Sequence, residues 1–181
     1  MELPFLIYNE ITSTNAYGLE LAKKSASSGT AILALKQTKG RGQFSRTWDS
    51  PVGGMYLSVI FRSSTAERIR KKIPHIPSTL AVGSVIRDFL IELTSQKDFV
   101  IKSPNDILFD NRKICGILCE AVTCGFETQG VIGIGLNVNN AYEGGANLRE
   151  IMGKEMDVVK IARMLRARLN EEILGISQNA S

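Results

Sequence analysis

Between Phe99 and Asn139 the chain strings together apolar runs too short for helices, separated by turns too short for crossovers. They are FVIK (Phe99–Lys102), ILF, ICGILCEAV beyond the polar turn DNRK, and VIGIGLNVN (Val131–Asn139). Runs of this length bounded by turn residues read as buried strands. A parallel neighbour needs a connection of a dozen or more residues, so strands that follow one another through short turns pair antiparallel. AILALKQ (Ala31–Gln37) and MYLSVIF (Met55–Phe61) add two further strands, after a short apolar start, LPFLIY.

Helices are expected at the flanks. TSTN (Thr12–Asn15) offers hydroxyls to cap a helix through Lys24, with Tyr17 and Leu21 on one face, and ASSGT ends it. After Pro77 and Ser78, apolar residues Val82, Val85, Ile86, Phe89, Leu90 and Leu93 recur at helical spacing and mark a core helix. Asp157 caps a last one, with Val158, Ile161, Ala162, Leu165 and Leu169 on one face and Gly175 beyond its end. Strands grouped between separated helices predict an α+β domain with a mixed, largely antiparallel sheet covered by helices. A Rossmann domain fits less well, because GIGLNVN lacks the third glycine and the following helix, and no GxxxxGK[ST] is present.

At 181 residues the chain reads as one domain over 1–181, large enough to bury a core without staples. Its 44% hydrophobic and 22% charged residues exclude a disordered chain, except at the final SQNAS. A net charge of +4 and a pI near 9.0 are mild, and beyond RIRKK (Arg68–Lys72) no dense basic face points to nucleic acid. MELPFLIYNE is no signal peptide and no segment reaches the ~18 apolar residues of a bilayer span, so a cytoplasmic protein is expected. Cys115, Cys119 and Cys124 form no CxxC and read as buried thiols rather than a disulfide or zinc set. The single histidine, His75, supports neither a metal cluster nor a hydrolytic triad, so no metal ligands are assigned.

Chemistry concentrates in QTKGRGQFSRTWDSP (Gln37–Pro51), where three basic side chains, two glycines, the only tryptophan and a proline fall within fifteen residues without helical or strand periodicity. Alternating Gly with Lys or Arg brings backbone N–H groups and positive charge close to a small anion such as a phosphate or carboxylate. A solvated turn is the plain alternative. Lys102, ending FVIK just before SPND, holds an ammonium at a fixed strand end, where it can grip an anion or simply solubilise the edge. At ~4 Å and an effective dielectric of ~20 such a pair is worth roughly 4 kcal/mol before desolvation, enough to matter if the anion's charge grows during reaction. Pro104, Asn105 and Asp106 read by default as a turn, Ser13 as an N-cap, Trp48 as a core anchor, the GIG glycines as a bulge and Asn137 as a turn residue.

Taken together, STN (Ser13–Asn15), QTKGRGxxxRxWxSPxGG (Gln37–Gly54), KxPNDI (Lys102–Ile107), KxxGILxE (Lys113–Glu120) and GIGLNVN (Gly133–Asn139) occur in the order and spacing of one family. The chain resembles the catalytic domain of biotin protein ligases. The resemblance implies a sheet like that of class II aminoacyl-tRNA synthetases, with a tendency to dimerise through it. It also implies a two-step reaction. Biotin and ATP with Mg2+ give biotinyl-5′-adenylate and pyrophosphate, and a lysine of a biotin carboxyl carrier protein then takes the biotin. By resemblance, Ser13 and Thr14, with Asn15, Gln37 and backbone groups at Gly40 and Arg41, hold the biotin ring. Gly116, Gly133 and Gly135 let strands lie close to the ligand. Arg41, Gly42, Gln43 and Arg46 fold over the adenylate, Trp48 lies near adenine, and Lys102 bridges carboxylate and α-phosphate. Asn137 lies near the nucleotide phosphates, and Lys113 and Glu120 belong to the same set. Lys102, Arg41 and Arg46 are the expected catalytic cations.

Departures from the family pattern carry their own expectations. GRGQFSRTW stands where such ligases read GRGRxGRxW, so Gln43 replaces an arginine and Ser45 a glycine. One positive charge over the adenylate is gone, which predicts weaker retention of that intermediate. KSPND in place of KWPND removes an aromatic wall at Ser103 and predicts looser biotin binding. Twelve residues precede STN, which leaves no room there for a DNA-binding domain, and no SH3-like barrel follows the last helix; the expectation is a ligase that does not act on DNA. A lipoate or octanoyl transferase of the same superfamily, and a non-catalytic biotin or adenylate binder, are the two competing readings.

Overall fold

The computed structural model describes residues 3–64, 77–140 and 142–176. His75, the RIRKK run, SQNAS and the side chain of Cys124 lie outside the described residues. Seven strands form one sheet: β1 (Phe5–Tyr8), β2 (Ala31–Ala34), β3 (Met55–Ser64), β4 (Phe99–Lys102), β5 (Asp106–Phe109), β6 (Arg112–Cys124) and β7 (Glu127–Leu136). Their spatial order is β1-β2-β3-β7-β6-β5-β4. Only β1 and β2 pair in parallel, and every other neighbouring pair is antiparallel. The α+β class expected from the grouped apolar runs is therefore the class observed.

Turn chemistry sets the tight connections. Asp110 and Asn111 both adopt positive φ (49° and 58°) between β5 and β6, the geometry of a two-residue hairpin whose twist matches its strands. Helices α1 (Thr14–Lys23), α2 (Thr79–Thr94), α3 (Leu148–Met152) and α4 (Val158–Glu172) cover the sheet. Ser13 caps α1 through Ala16 N, and Asp157 caps α4 through Lys160 N, as their positions before the apolar periodicity predict. The short α3, capped by Asn147 and ended by Gly153 at φ 66°, carries too little periodicity to be read from sequence.

Period-2 alternation divides the sheet into two faces. Leu33, Leu57, Val59, Ile117, Ile132 and Ile134 point to one face and bury against Val82, Ile86 and Leu90 of α2 and Ile161, Leu165 and Leu169 of α4. Each fully buried side chain of this kind contributes roughly 1.5–3 kcal/mol, so this layer is the main core. On the other face, Ile32, Ile60 and Val131 pack with Ala22 and the partly buried Tyr17 and Leu21 of α1. α1 covers only part of that face.

The uncovered part is organised by register. One cross-strand row runs Tyr8–Ala34–Tyr56–Gly135–Gly116–Asp106–Lys102 through all seven strands. The adjacent row on the same face runs Leu6–Ile32–Ser58–Gly133–Leu118. Glycines at the centre of both rows leave a floor without side chains beside α1. Among the described residues no helix is long and apolar enough to cross a membrane.

Candidate active site

Residues Gly40–Trp48 fold back over this floor as a small hairpin. Arg41 bridges Thr47, Gly42 N donates to Arg46 O (2.8 Å), and Trp48 N donates to Gly40 O (3.0 Å). A tight turn over Gln43–Ser45 closes it, with Phe44 and Ser45 at φ 55° and 61°. Between hairpin, floor and α1 lies a cavity of about 120 Å3. A wider open groove of about 620 Å3 lies against the same hairpin and Leu118, Cys119 and Glu120. Arg41, Gly42, Gln43, Arg46, Thr47 and Leu118 line both spaces.

Of the residues singled out in the sequence, Ser13, Thr14, Asn15, Gln37, Arg41, Gly42, Gln43, Arg46, Trp48, Lys113, Gly116, Gly133 and Gly135 all line the cavity. They come from four separate segments. Thr14 and Trp48 are joined by one polar chain. Thr14 donates its N–H to Gln37 Oε1 (2.8 Å), and Gln37 Nε2 donates to Ser50 Oγ (2.9 Å), whose hydroxyl donates to Trp48 O (3.0 Å). Ser58 donates to Asn15 Oδ1 (2.6 Å) and lies 2.8 Å from Thr14 Oγ1. Asn15 Nδ2 donates to Leu118 O (3.1 Å) and to Glu120 Oε2 (2.8 Å), and Glu120 Oε1 meets Arg41 Nη2 at 2.7 Å. Buried amides and hydroxyls so engaged hold fixed orientations, because leaving any one unpaired costs about 1–3 kcal/mol.

The glycines are required by what sits on them. A Cβ at Gly133 would run into the Asn15 amide, and one at Gly116 would come within 2.6 Å of Trp48 Cζ3. The indole of Trp48 thus lies on the Gly116–Gly135 pair, and Lys113 Nζ stands 4.8 Å from its ring centroid. Lys113 Nζ also contacts Asp106 Oδ1 at 2.8 Å. Both cations that are half-buried or better placed toward the floor, Arg41 and Lys113, therefore face a resident carboxylate. Burial pushes the Cys115 and Cys119 thiols up to about 12, which keeps both protonated at neutral pH and unfit as nucleophiles.

Three expected members of the site stand elsewhere. Lys102 shares the floor's face through its register with Asp106, but it is exposed at the sheet edge and does not line the cavity; Lys113 supplies the ammonium there instead. Asn137 is buried behind the site, where Nδ2 donates to Ala146 O (3.1 Å) and Oδ1 accepts from Asn140 Nδ2 (3.0 Å), so its amide staples a loop rather than facing the cavity. Gly40 lines only the outer groove. Sequence reading missed Ser58, a buried polar residue in an otherwise apolar strand, and Asp106, which looked like part of a turn; the serine interrupting MYLSVIF was the available signal for the first.

Known proteins share the sequence family and the fold of this chain. A profile described as the biotin/lipoate A/B protein ligase family matches residues 7–137. The bifunctional ligase/repressor BirA of Bacillus spizizenii is 40% identical over 137 residues, covering 74% of this chain and 40% of that protein. The biotin–[acetyl-CoA-carboxylase] ligase of Paracoccus denitrificans is 32% identical over 143 residues, covering 74% of this chain and 54% of that one. The chain thus spans about half or less of the length of these two relatives. Among solved structures, the biotin protein ligase of Aquifex aeolicus in complex with biotin and ATP superposes with a TM-score of 0.74 at 30% identity, over 93% of this chain and 69% of that one.

Proposed function

The chain belongs to the biotin/lipoate A/B protein ligase family, and on that premise we propose that it activates biotin with ATP and passes it to a carrier-protein lysine. What carries this reading is that one cavity joins a neutral hydrogen-bonding set, Ser13, Thr14, Asn15 and Gln37, to a cationic set, Arg41, Arg46 and Lys113, over a side-chain-free floor. A ureido ring and a carboxylate on one small molecule need those two environments in one space. The ligands of the Aquifex relative, biotin and ATP, are of that chemistry.

In the first step a biotin carboxylate oxygen attacks the α-phosphorus, an acyl–phosphate bond forms, and the bond to the β-phosphate breaks to release pyrophosphate. Two anions must approach, so the protein's work is positioning and charge neutralisation. Thr14, Asn15 and Gln37, fixed by Ser58, Ser50 and Glu120, hold the neutral head of the vitamin. Arg41 and Arg46 on the hairpin and Lys113 at the floor face the condensing groups. In the second step the carrier amine attacks the acyl carbon, an amide bond forms, AMP leaves, and the amine proton passes to solvent.

Among the described residues no three acidic, histidine or cysteine side chains cluster to hold a metal, and Asp106 and Glu120 are already engaged by Lys113 and Arg41. The residues present offer no preformed cage for Mg2+, whose usual place in nucleotide sites is on the phosphates themselves. The test is to incubate the protein with biotin, MgATP and a biotin carboxyl carrier domain and to follow the carrier's mass. Gain of one biotin on the acceptor lysine is expected. An unmodified carrier, or preferential attachment of lipoate, would contradict the reading.

A further inference from the structure

Trp48 is the only tryptophan in the chain, and its indole rests on the Gly116–Gly135 pair at the bottom of the cavity. Several features separate this pose from that of a core anchor. Nε1 is shielded from solvent yet has no hydrogen-bond acceptor, although a buried indole N–H normally finds one. The cavity left beside the ring, about 120 Å3, is smaller than the roughly 300 Å3 at which ligand pockets begin. The side chains on either side, Thr47 and Asp49, are exposed, so neither packs beside the indole to hold it in place. The outer groove, about 620 Å3, shares the hairpin with the cavity, so outward movement of the hairpin joins two spaces into one.

The floor itself suits any flat ring. Neither Gly116 nor Gly135 has a Cβ to keep a ring off the strands, the two glycines are paired in register, and Lys113 stands over whatever lies there. We infer that Trp48 is a resident plug: in the unliganded protein its indole occupies the glycine floor of the ligand cavity, and the bicyclic ring of bound biotin displaces it outward. The inference rests on the biotin reading above and adds a conformational step to it. Lys113 is then the clamp on the resting indole, through a cation–π contact that the incoming ligand breaks.

Because the chain has a single tryptophan, its fluorescence reports this one ring. The experiment is acrylamide quenching and emission of the intact protein with and without biotin, with biotin binding measured in parallel by calorimetry. The plug predicts blue-shifted, poorly quenched emission in the free protein, and a red shift with stronger quenching once biotin is bound. Binding heat with emission and quenching unchanged, or with quenching reduced, overturns the plug while leaving the ligase reading intact. No binding heat removes the premise and the plug with it. Two ligand-free variants test the resting place directly. Gly135→Ala puts a methyl into the indole's position, and Lys113→Met removes the clamp without changing the floor; either is expected to raise quenching in the absence of biotin. If Gly135→Ala fails to fold, Lys113→Met decides, and unchanged quenching in that variant overturns the inference.

Discussion

Arg41 Nη2 meets Glu120 Oε1 at 2.7 Å, and the second oxygen of that carboxylate accepts from Asn15 Nδ2 at 2.8 Å, so one side chain of β6 ties the hairpin to α1. Arg41 keeps its other guanidinium donors for a ligand. Because the Arg41 side chain is 47% exposed and that of Glu120 20%, the pair adds at most about 1 kcal/mol to global stability. Its effect is local. Glu120→Gln preserves the acceptor for Asn15 but drops the charge facing Arg41. We expect nearly unchanged thermal unfolding together with faster hydrogen exchange at the hairpin amides of Gly42, Arg46 and Trp48. Unchanged exchange there would mean the hairpin stands without the carboxylate.

Gln43 lines the cavity between Arg41 and Arg46, at the position where the motif resemblance leads one to expect an arginine, so on the proposed function the hairpin presents one cation fewer to an acyl phosphate. Restoring it with Gln43→Arg adds a partly exposed charge worth about 1 kcal/mol, which slows adenylate dissociation about fivefold. Release of preformed biotinyl adenylate, followed by rapid dilution, measures this. An adenylate lost as fast from Gln43→Arg as from the parent would show that charge over the intermediate does not limit its escape.

Ser45 sits at φ 61° directly after Phe44 at φ 55°, and Phe44 is 85% exposed. A non-glycine residue in the left-handed region costs about 1–2 kcal/mol, and glycine's extra freedom in the unfolded chain gives back roughly 0.5–1 kcal/mol. Ser45→Gly is therefore expected to stabilise the fold, by up to about 1.5 kcal/mol after these terms offset. Denaturant unfolding midpoints decide; a lower midpoint would show that Ser45 makes compensating contacts in solution.

Alkaline stability follows from the thiols. Cysteine ordinarily ionises near 9.0, and burial pushes both Cys115 and Cys119 up to about 12. The folded chain thus keeps protons that the unfolded chain releases, so stability is full below about pH 9 and declines as pH rises toward 12. The buried Tyr56 phenol is likewise pushed up and adds to the decline above its usual range. Urea unfolding from neutral pH upward is expected to show this slope, and Cys119→Ala to make it shallower. A wild-type profile that stays flat well past pH 9 would contradict the assignment.

Much of the architecture was legible because local signals and tertiary pattern coincide. The Ser13 cap, the spacing from Val82 to Leu90 and the DNRK turn each specify their element without knowledge of the rest. β1 was not, since four residues after Leu3-Pro4 carry no alternation strong enough to distinguish a strand from an apolar tail. The cavity's membership was largely readable from motif positions. Its internal pairings were not: Glu120 with Arg41 and Asp106 with Lys113 depend on register between distant strands, which no short-range pattern encodes. The same limit explains Lys102, whose strand-end position was visible while its place at the far edge of the row was not. Asn137 was placed by motif alone, and its amide turns out to be consumed by the loop that follows β7.

We propose that Arg41, Arg46 and Lys113, gathered over one glycine floor, neutralise a carboxylate as it condenses with a nucleotide. Pyrophosphate release from the protein with biotin and MgATP, in the absence of any carrier, tests that step alone. Biotin-dependent pyrophosphate is expected from the parent chain, with a marked loss in Arg41→Ala. Pyrophosphate that forms equally without biotin, or none in a protein that binds both ligands, would contradict it.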